Sequence, residues 1–328
     1  MSENKVAKKP ISVKKYFPFI LLFVLVVIFS IGNPRFFTIK NFLTIAQQMV
    51  VTLIAAYGML YVIVEGSIDL SVGGIVALSA IAVAKTVGVL GGFAVIPAVL
   101  IGILCGAING CCYTFLKIPT FITTMATMTA FRGIVLIITG GAQIMITDKR
   151  FIGLFNGSYL PSIPNNVIMV IIITVIMWYI YNNFAFSREV RAVGGAEKVA
   201  TLAGIRVNKI KVQVFILCGA LAGLAGCFQA ARSYAATPTM GDGMEMDVIA
   251  AVVLGGTPMS GGIGSVLTTV LGALIMCILS NGMNIIGLSA DVQKVVKGII
   301  LIFAVCMTVD RKRMGVIKQY NKCTEPSG

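Results

Sequence analysis

Long apolar runs recur along this chain from Phe17 to Val309, and several are long enough to cross a bilayer as helices. Of the 328 residues, 58% are hydrophobic and only 12% are charged, a balance too apolar for a water-soluble domain. In lipid, every backbone polar group needs a partner within its own segment, so such runs predict helices. The sequence therefore predicts an all-α, polytopic helical membrane protein.

The order of the runs predicts about ten membrane segments with both termini in the cytoplasm. One segment is short, because the run from Met246 to Gly256 would extend about 16 Å as a helix, against about 30 Å of hydrocarbon. We therefore expect a broken or half helix there, whose ends offer backbone donors and acceptors to a polar solute. The predicted parts are a basic cytoplasmic tail at residues 1–16, a transmembrane domain at 17–309 with a cytoplasmic loop at 183–211, and a basic cytoplasmic tail at 310–328.

Some spans and loops within the transmembrane domain can be placed from the runs. The third span is expected at about Val72 to Leu90, and a later one runs from Ser265 to Ser280. The stretches 140–166 and 232–247 are expected to be loops outside the membrane.

The net charge of +14 is explained by membrane topology and does not indicate a nucleic-acid partner. Most of the 26 lysine and arginine residues fall in stretches predicted to be cytoplasmic, where basic residues of membrane proteins concentrate. The chain has no histidine, the commonest proton shuttle and metal ligand. Its 8 cysteines show no metal-ligand spacing and are interpreted as small packing residues. No metal and no cofactor are predicted.

The most basic internal stretch, Arg188 to Lys211, lies between two apolar segments and is predicted to be cytoplasmic. In it, Gly194-Gly195 precedes a short helical pattern that Gly204 can end in the left-handed conformation. This predicts one helix of about ten residues, which is marginal alone in water.

Val199, Leu202 and Ala203 fall at i, i+3 and i+4 in this pattern and form one small apolar face. Two interpretations follow from the residues. Either a partner docks against this face, or the stretch is a solvated loop that only sets the topology.

Two carboxylates, Glu65 and Asp69, lie between apolar runs beside three glycines. In one interpretation, Asp69 or Ser67 caps the N-terminus of the third span. In the other, the stretch is a helix break that lines a translocation path, where exposed backbone is tolerated. A hydrolase site is not expected, because no further acid, base or metal ligand lies nearby in the sequence.

Polar residues inside the apolar segments are candidates for such a path. The amides of Gln47 and Gln48 are expected to face the interior of the bundle, and Arg132, near the middle of a predicted span, must face protein or water. The candidate path consists of Gln47, Gln48, Asp69, Ser71, Arg132, Asp247, Gly255, Gly256, Thr257, Asn281 and Asn284.

Two further patterns concern packing and catalysis. Gly102 and Gly106 form a small-xxx-small pair, which predicts close approach of another helix. No GxxxxGK[ST] motif is present, so no ATP-binding loop is predicted, and no nucleophile–base pair is visible. These features indicate a conduit without catalytic residues.

Four separated motifs resemble the ribose-type permeases of ABC importers, in the same order and over most of the chain. They are SIDLSVG at 67–73, AVGGAEKVATLAGI at 192–205, MDVIAAVVLGGT at 246–257 and SNGMNIIGLS at 280–289. The chain departs from the family pattern at Glu65-Gly66-Ser67 and at Pro258-Met259. The resemblance implies a permease domain at 17–309 in the bacterial inner membrane that passes a neutral monosaccharide, ribose or a similar pentose.

The resemblance also implies partners: a cytoplasmic ABC ATPase that hydrolyses the ATP, an extracytoplasmic sugar-binding protein, and a second permease copy, identical or a sister subunit. It implies that residues 197–205 are the coupling helix, seated in a cleft of the ATPase. The coupling residues would be Gly194, Gly195, Glu197, Lys198, Ala200, Leu202, Gly204 and Ile205.

Alternative functions stay open at this point. Within the ABC class, a branched-chain amino acid permease or another small-solute permease is the nearest alternative, and a path for an amino acid must accept a zwitterion. A secondary transporter would need no ATPase, and the absence of histidine argues against proton coupling.

Overall fold

The structure is a computed structural model, and it describes residues 13–158 and 163–308. The predicted tails therefore lie largely outside the described residues. The described chain is a helical bundle with one short strand pair. Its helices are α1 Val13–Gly32, α2 Ile39–Glu65, α3 Val72–Leu90, α4 Val95–Phe115, α5 Thr120–Thr139, α6 Lys149–Asn156, α7 Asn165–Asn183, α8 Ala185–Gly195, α9 Glu197–Leu202, α10 Val207–Ser233, α11 Met244–Leu254, α12 Val266–Ile285 and α13 Ala290–Thr308.

Among the described residues, 6 helical segments are long and apolar enough to cross a membrane. One of them, Val72–Phe115, comprises α3, a 3₁₀ turn and α4. This confirms the all-α, multi-pass membrane class. The count of about ten segments and the position of the termini stay predictions. Helix α13, for example, is not among the six segments, and it carries three charged residues in its first half: Asp291, Lys294 and Lys297.

The two longest helices, α2 and α10, form the centre of the bundle. Each has 27 residues, and α10 packs against α2, α3 and α4. From Leu53 to Glu65 every residue of α2 is buried. A helix that is apolar all round and enclosed by protein lies in the interior of the bundle. Helices α5 and α7, in contrast, lie at the periphery, where most of their residues are not buried by the rest of the chain.

Glycines allow α4 and α10 to approach closely. A Cβ atom at Gly102 would collide with the carbonyl oxygen of Gly219, and one at Gly219 would collide with that of Gly102. A Cβ atom at Gly106 would meet the carbonyl oxygen of Phe215. The predicted small-residue pair is therefore confirmed as a helix–helix contact.

Two irregular segments interrupt the helices, the first of them mostly buried and the second partly exposed. Residues 66–71 separate α2 from α3, and Ser67, Asp69 and Ser71 in this segment are buried. Residues 255–265 separate α11 from α12. Helix α11 has 11 residues, so the predicted short helix is confirmed, with bounds two residues earlier than expected. Residues 67–71 are enclosed by protein, where irregular backbone is tolerated in membrane proteins.

Two parts of the prediction were wrong in detail. Helix α12 continues to Ile285, although the span was expected to end at Ser280, so Asn281 and Asn284 lie on the helix and not after it. The Phe29 ring covers Gly282 and supports this last part of α12 by packing. The stretch 140–166, read as a loop, contains α6 and a strand, Ile144–Met145 (β1), paired antiparallel with Ala235–Ala236 (β2).

Candidate functional site

The central basic stretch folds into two helices: the short helix predicted after Gly194-Gly195 is present as α9, and the helix before it, α8, was not predicted. These glycines end α8, and α9 has only 6 residues. Helix α8 forms because it has a tertiary partner: Val190 and Val193 are buried, and α8 packs on α2. Gly204 has φ +84°, as expected for the left-handed residue after a helix.

Helix α9 presents its apolar face away from the rest of the chain. Leu202 is 88% exposed and Val199 is 64% exposed, and Ala203 is exposed beside them. Ala200, on the opposite face, is buried against the protein. The apolar face predicted from the spacing is therefore present, and no described part of this chain covers it.

The buried side chain of Lys211 connects α9 to the bundle through an ion pair. Lys211 of α10 donates a hydrogen bond of 2.9 Å from Nζ to Oε1 of Glu197, the first residue of α9. The same ammonium lies 4.8 Å from the ring centroid of Tyr113 on α4, a cation–π contact. Glu65, at the end of α2, is buried and lies close enough to interact with Lys211. Helix α9 is thus linked to α10 and α4 through one side chain.

Helix α8 also contacts the end of α2 and the segment that follows the short helix α11. A Cβ atom at Gly194 would collide with the carbonyl oxygen of Val64. The same oxygen accepts a 2.8 Å hydrogen bond from the backbone N–H of Gly262. Gly194 therefore serves as a close-packing residue between α8, α2 and the segment after α11, while Gly195 has open space around it.

Asp69 and Ser71 belong to a buried polar network. Oδ1 of Asp69 accepts hydrogen bonds from the backbone N–H of Ser71 at 2.8 Å and from its hydroxyl at 2.7 Å. Asn109 donates to the Ser71 hydroxyl at 2.7 Å, and Thr127 donates to Asn109 at 2.7 Å. Asp69 therefore does not cap α3 in the predicted way, because no side chain bonds to an amide of the first helical turn. Its carboxylate instead holds Ser71, the residue just before the helix, which Asn109 and Thr127 link to α4 and α5.

Replacing Asp69 by alanine is expected to destabilise the protein by about 1–3 kcal/mol, because two buried donors lose their acceptor. Asp69→Asn keeps an acceptor oxygen and should have a smaller effect. The measurement is thermal unfolding of the detergent-solubilised protein, with uptake normalised to protein abundance. Unchanged stability together with slower uptake per molecule would instead favour a role for Asp69 in the path.

A polar pocket of about 310 Å³ lies between α2, α10, α11, α12 and α13. We call it the polar pocket. Four of these helices contribute polar residues one turn apart, because i, i+3 and i+4 share one face of a helix. Its polar lining includes Gln48 and Thr52 of α2, Gln229 and Arg232 of α10, Asp247 of α11, Ser280 and Asn284 of α12, and Gln293 and Lys297 of α13.

Ion pairs hold the start of α11 beside this pocket. Nζ of Lys297 lies 2.7 Å from Oδ2 of Asp247, and Nζ of Lys294 lies 3.2 Å from Oδ2 of Asp242. From the other side, Arg132 donates a 3.1 Å hydrogen bond to the carbonyl oxygen of Gly241. Arg132 faces protein, as expected for an intramembrane arginine, but it does not line the polar pocket.

The structure separates the predicted path residues into several places. Gln48, Asp247 and Asn284 line the polar pocket. Asp69 and Ser71 lie in the buried network. Gly255, Gly256 and Thr257 follow the end of α11, where Thr257 is buried. The remaining three lie outside these groups: Gln47, Arg132 and Asn281.

Sequence reasoning missed Gln229, Arg232 and Lys297 as pocket residues. Polar residues spaced by three or four positions on otherwise apolar helices were the available signal. Within residues 13–158 and 163–308, no group of three or more cysteine, aspartate or glutamate side chains could hold a metal ion.

The membrane-length helices define a multi-pass membrane protein, and a polar pocket inside the helical bundle is a feature of the transport class. Residues 41–305 match the family described as branched-chain amino acid transport system / permease component, and the chain belongs to this permease family. Members of this family are transport components.

Curated relatives match almost end to end. The ribose import permease protein of Bacillus subtilis (strain 168) is 42% identical over 305 residues, covering 92% of this chain and 94% of the relative. The ribose import permease protein of Escherichia coli (strain K12) is 39% identical, covering 90% and 92%. The D-allose transport system permease protein of the same strain is 37% identical, covering 89% and 91%. No solved structure matches the chain.

Proposed function

We propose that this chain is the transmembrane subunit of an ATP-driven importer in the bacterial inner membrane, and that it passes a neutral monosaccharide. The observation that carries the proposal is the similarity, over nine-tenths of each chain, to permeases named for ribose import. The chain has no phosphate-binding loop of its own. A separate ATPase subunit therefore supplies the energy.

The ATPase docks on α9 in this proposal. The exposed Leu202 and Val199 side chains fill an apolar cleft of that partner, because burying them there removes apolar surface from water. The helix is too short to be stable alone, but the Lys211–Glu197 contact holds it in place. The docking surface is thus preformed on the permease.

Movement of α9 reaches the polar pocket through α10. Lys211 holds α9 near one end of α10, and Gln229 lines the pocket near the other end. The two residues are 18 positions apart, which corresponds to about 27 Å along a helix. Because α10 is a continuous helix packed on α2, α3 and α4, a displacement at α9 tilts the wall of the pocket.

A sugar is favoured over a branched-chain amino acid as the transported solute. The family description names branched-chain amino acids, but relatives that match this chain over most of its length include permeases named for ribose, D-allose and L-arabinose. An extracytoplasmic binding protein delivers the sugar in this proposal. A second permease copy, identical or a sister subunit, completes the path.

The test is uptake into vesicles that contain the permease, its ATPase and its binding protein, with ATP enclosed or omitted. We expect labelled D-ribose to accumulate only when all three proteins and ATP are present. L-Leucine serves as the comparison solute and should not accumulate. Ribose uptake by the permease alone, independent of ATP, would contradict the importer and favour a secondary transporter.

A further inference from the structure

We propose that the polar pocket is a sugar-binding subsite within a single permease chain, in which Arg232 and Asp247 bind neighbouring hydroxyl groups of a neutral sugar. This inference rests on the proposed function and adds a ligand-binding site with assigned residues. It is carried by polar groups in the pocket that have no partner among the described residues.

Arg232 supplies the unpaired donors. It lies in the last turn of α10 and is half-buried at the pocket. Among residues 13–158 and 163–308, its guanidinium makes no hydrogen bond and no ion pair with a carboxylate. A guanidinium carries five N–H donors in a planar fork, and leaving them unsatisfied away from water is costly. The pocket therefore favours a ligand with adjacent acceptor oxygens.

Asp247 supplies the acceptor. Its Oδ2 atom is engaged by Lys297 at 2.7 Å, whereas its buried Oδ1 atom has no hydrogen-bond partner in the described part of the chain. Lys297 compensates the charge of the carboxylate, so Oδ1 can accept a hydrogen bond without attracting a cation. The side-chain amides of Gln48 and Gln229 also line the pocket, and no described residue bonds to them.

A diol matches this set of groups better than an amino acid does. Each hydroxyl both donates and accepts, as the pocket requires, and about 310 Å³ is near the lower limit of small-molecule sites, which suits one sugar ring. Large apolar lining residues are few among the described residues: Val51, Met244 and Met276. A branched aliphatic side chain would therefore gain little by entering.

The test uses Ser280→Cys in the full permease–ATPase complex in lipid. Ser280 lines the pocket on α12, and the substitution changes only oxygen to sulfur. A small methanethiosulfonate reagent modifies the new thiol, and peptide mass spectrometry measures modification at this position alone, so the native cysteines do not interfere. With D-ribose at about ten times its dissociation constant, modification should slow about tenfold, because the reagent reacts with the empty pocket.

Two matched variants complete the experiment. Thr268→Cys lies on the same helix, is exposed and does not line the pocket, so ribose should not change its modification rate. Adding Arg232→Gln to Ser280→Cys should remove the protection, because glutamine replaces the guanidinium fork with a single amide.

The outcomes separate this inference from the proposed function. If ribose does not protect Ser280→Cys while vesicle uptake is ATP-dependent, the pocket is not a sugar subsite and the importer function stands. Protection by L-leucine and not by ribose overturns the sugar class. Protection that survives Arg232→Gln overturns the role of the guanidinium.

Discussion

Replacing Leu202 by glutamate is expected to lower ATP-driven uptake at least about a hundredfold without reducing the amount of folded permease. Leu202 is 88% exposed in the chain, so the substitution removes no contact on which the fold depends. In the docked complex the new carboxylate would be buried without a partner, which costs about 3–5 kcal/mol. At 1.4 kcal/mol per tenfold, the ATPase would bind about a hundred times more weakly or worse.

Co-purification of the ATPase with the permease measures this effect, and uptake into vesicles measures its consequence. Thr201→Glu is the matched control, because Thr201 is exposed on the same helix but outside the apolar face. It introduces the same charge and should leave both measurements near wild type. Normal ATPase binding by Leu202→Glu would show that α9 is not the docking surface. Leu202 is preferred to Glu197 as a target, since Glu197 also fastens α9 to Lys211.

Replacing Gly102 by valine is expected to cost about 3 kcal/mol or more, at the upper end of overpacking effects. The new side chain would collide with the backbone carbonyl of Gly219 on α10. A side chain could avoid the collision by changing its rotamer, but a backbone carbonyl within a helix cannot. Helices α4 and α10 would therefore have to separate. Folded permease should largely disappear from the membrane, because α10 is the central helix.

The measurements are the abundance of folded permease in the membrane and its thermal unfolding after solubilisation. Gly133→Val is the control, because Gly133 lies within helix α5 and a Cβ atom at this position would meet no neighbouring atom within 4 Å. This variant should retain nearly normal stability. Equal stability of the two variants would contradict the close contact between α4 and α10.

Most helices could be predicted from the sequence because their signals are local. The third span was expected at Val72 to Leu90 and is found there as α3. The short helix was expected from run length alone and is found as α11. Helices α6 and α8 were missed for the opposite reason. They are short, and buried contacts such as those of Phe151, Val190 and Val193 stabilise them.

The candidate site was predictable only in part. Gln48 was singled out because its amide lies inside a predicted span, whereas Asp247 and Asn284 were named as candidate path residues at the ends of predicted segments. Arg232 was read as part of a loop, although it ends the long helix α10. For Asp69, the sequence left a cap and a path lining open, and the bonds to Ser71 place it in a buried network.

By itself, the sequence determined the membrane class, the order of the long helices, the short helix and the apolar face of α9. Hydrophobic run length and helical periodicity are properties of neighbouring residues, and water and lipid act on them directly. The tertiary structure alone decided which polar groups share the polar pocket, which glycines bring α4 and α10 together, and how Lys211 fastens α9. These contacts join residues far apart in the chain, and their energies depend on the packing of whole helices, which no local pattern encodes.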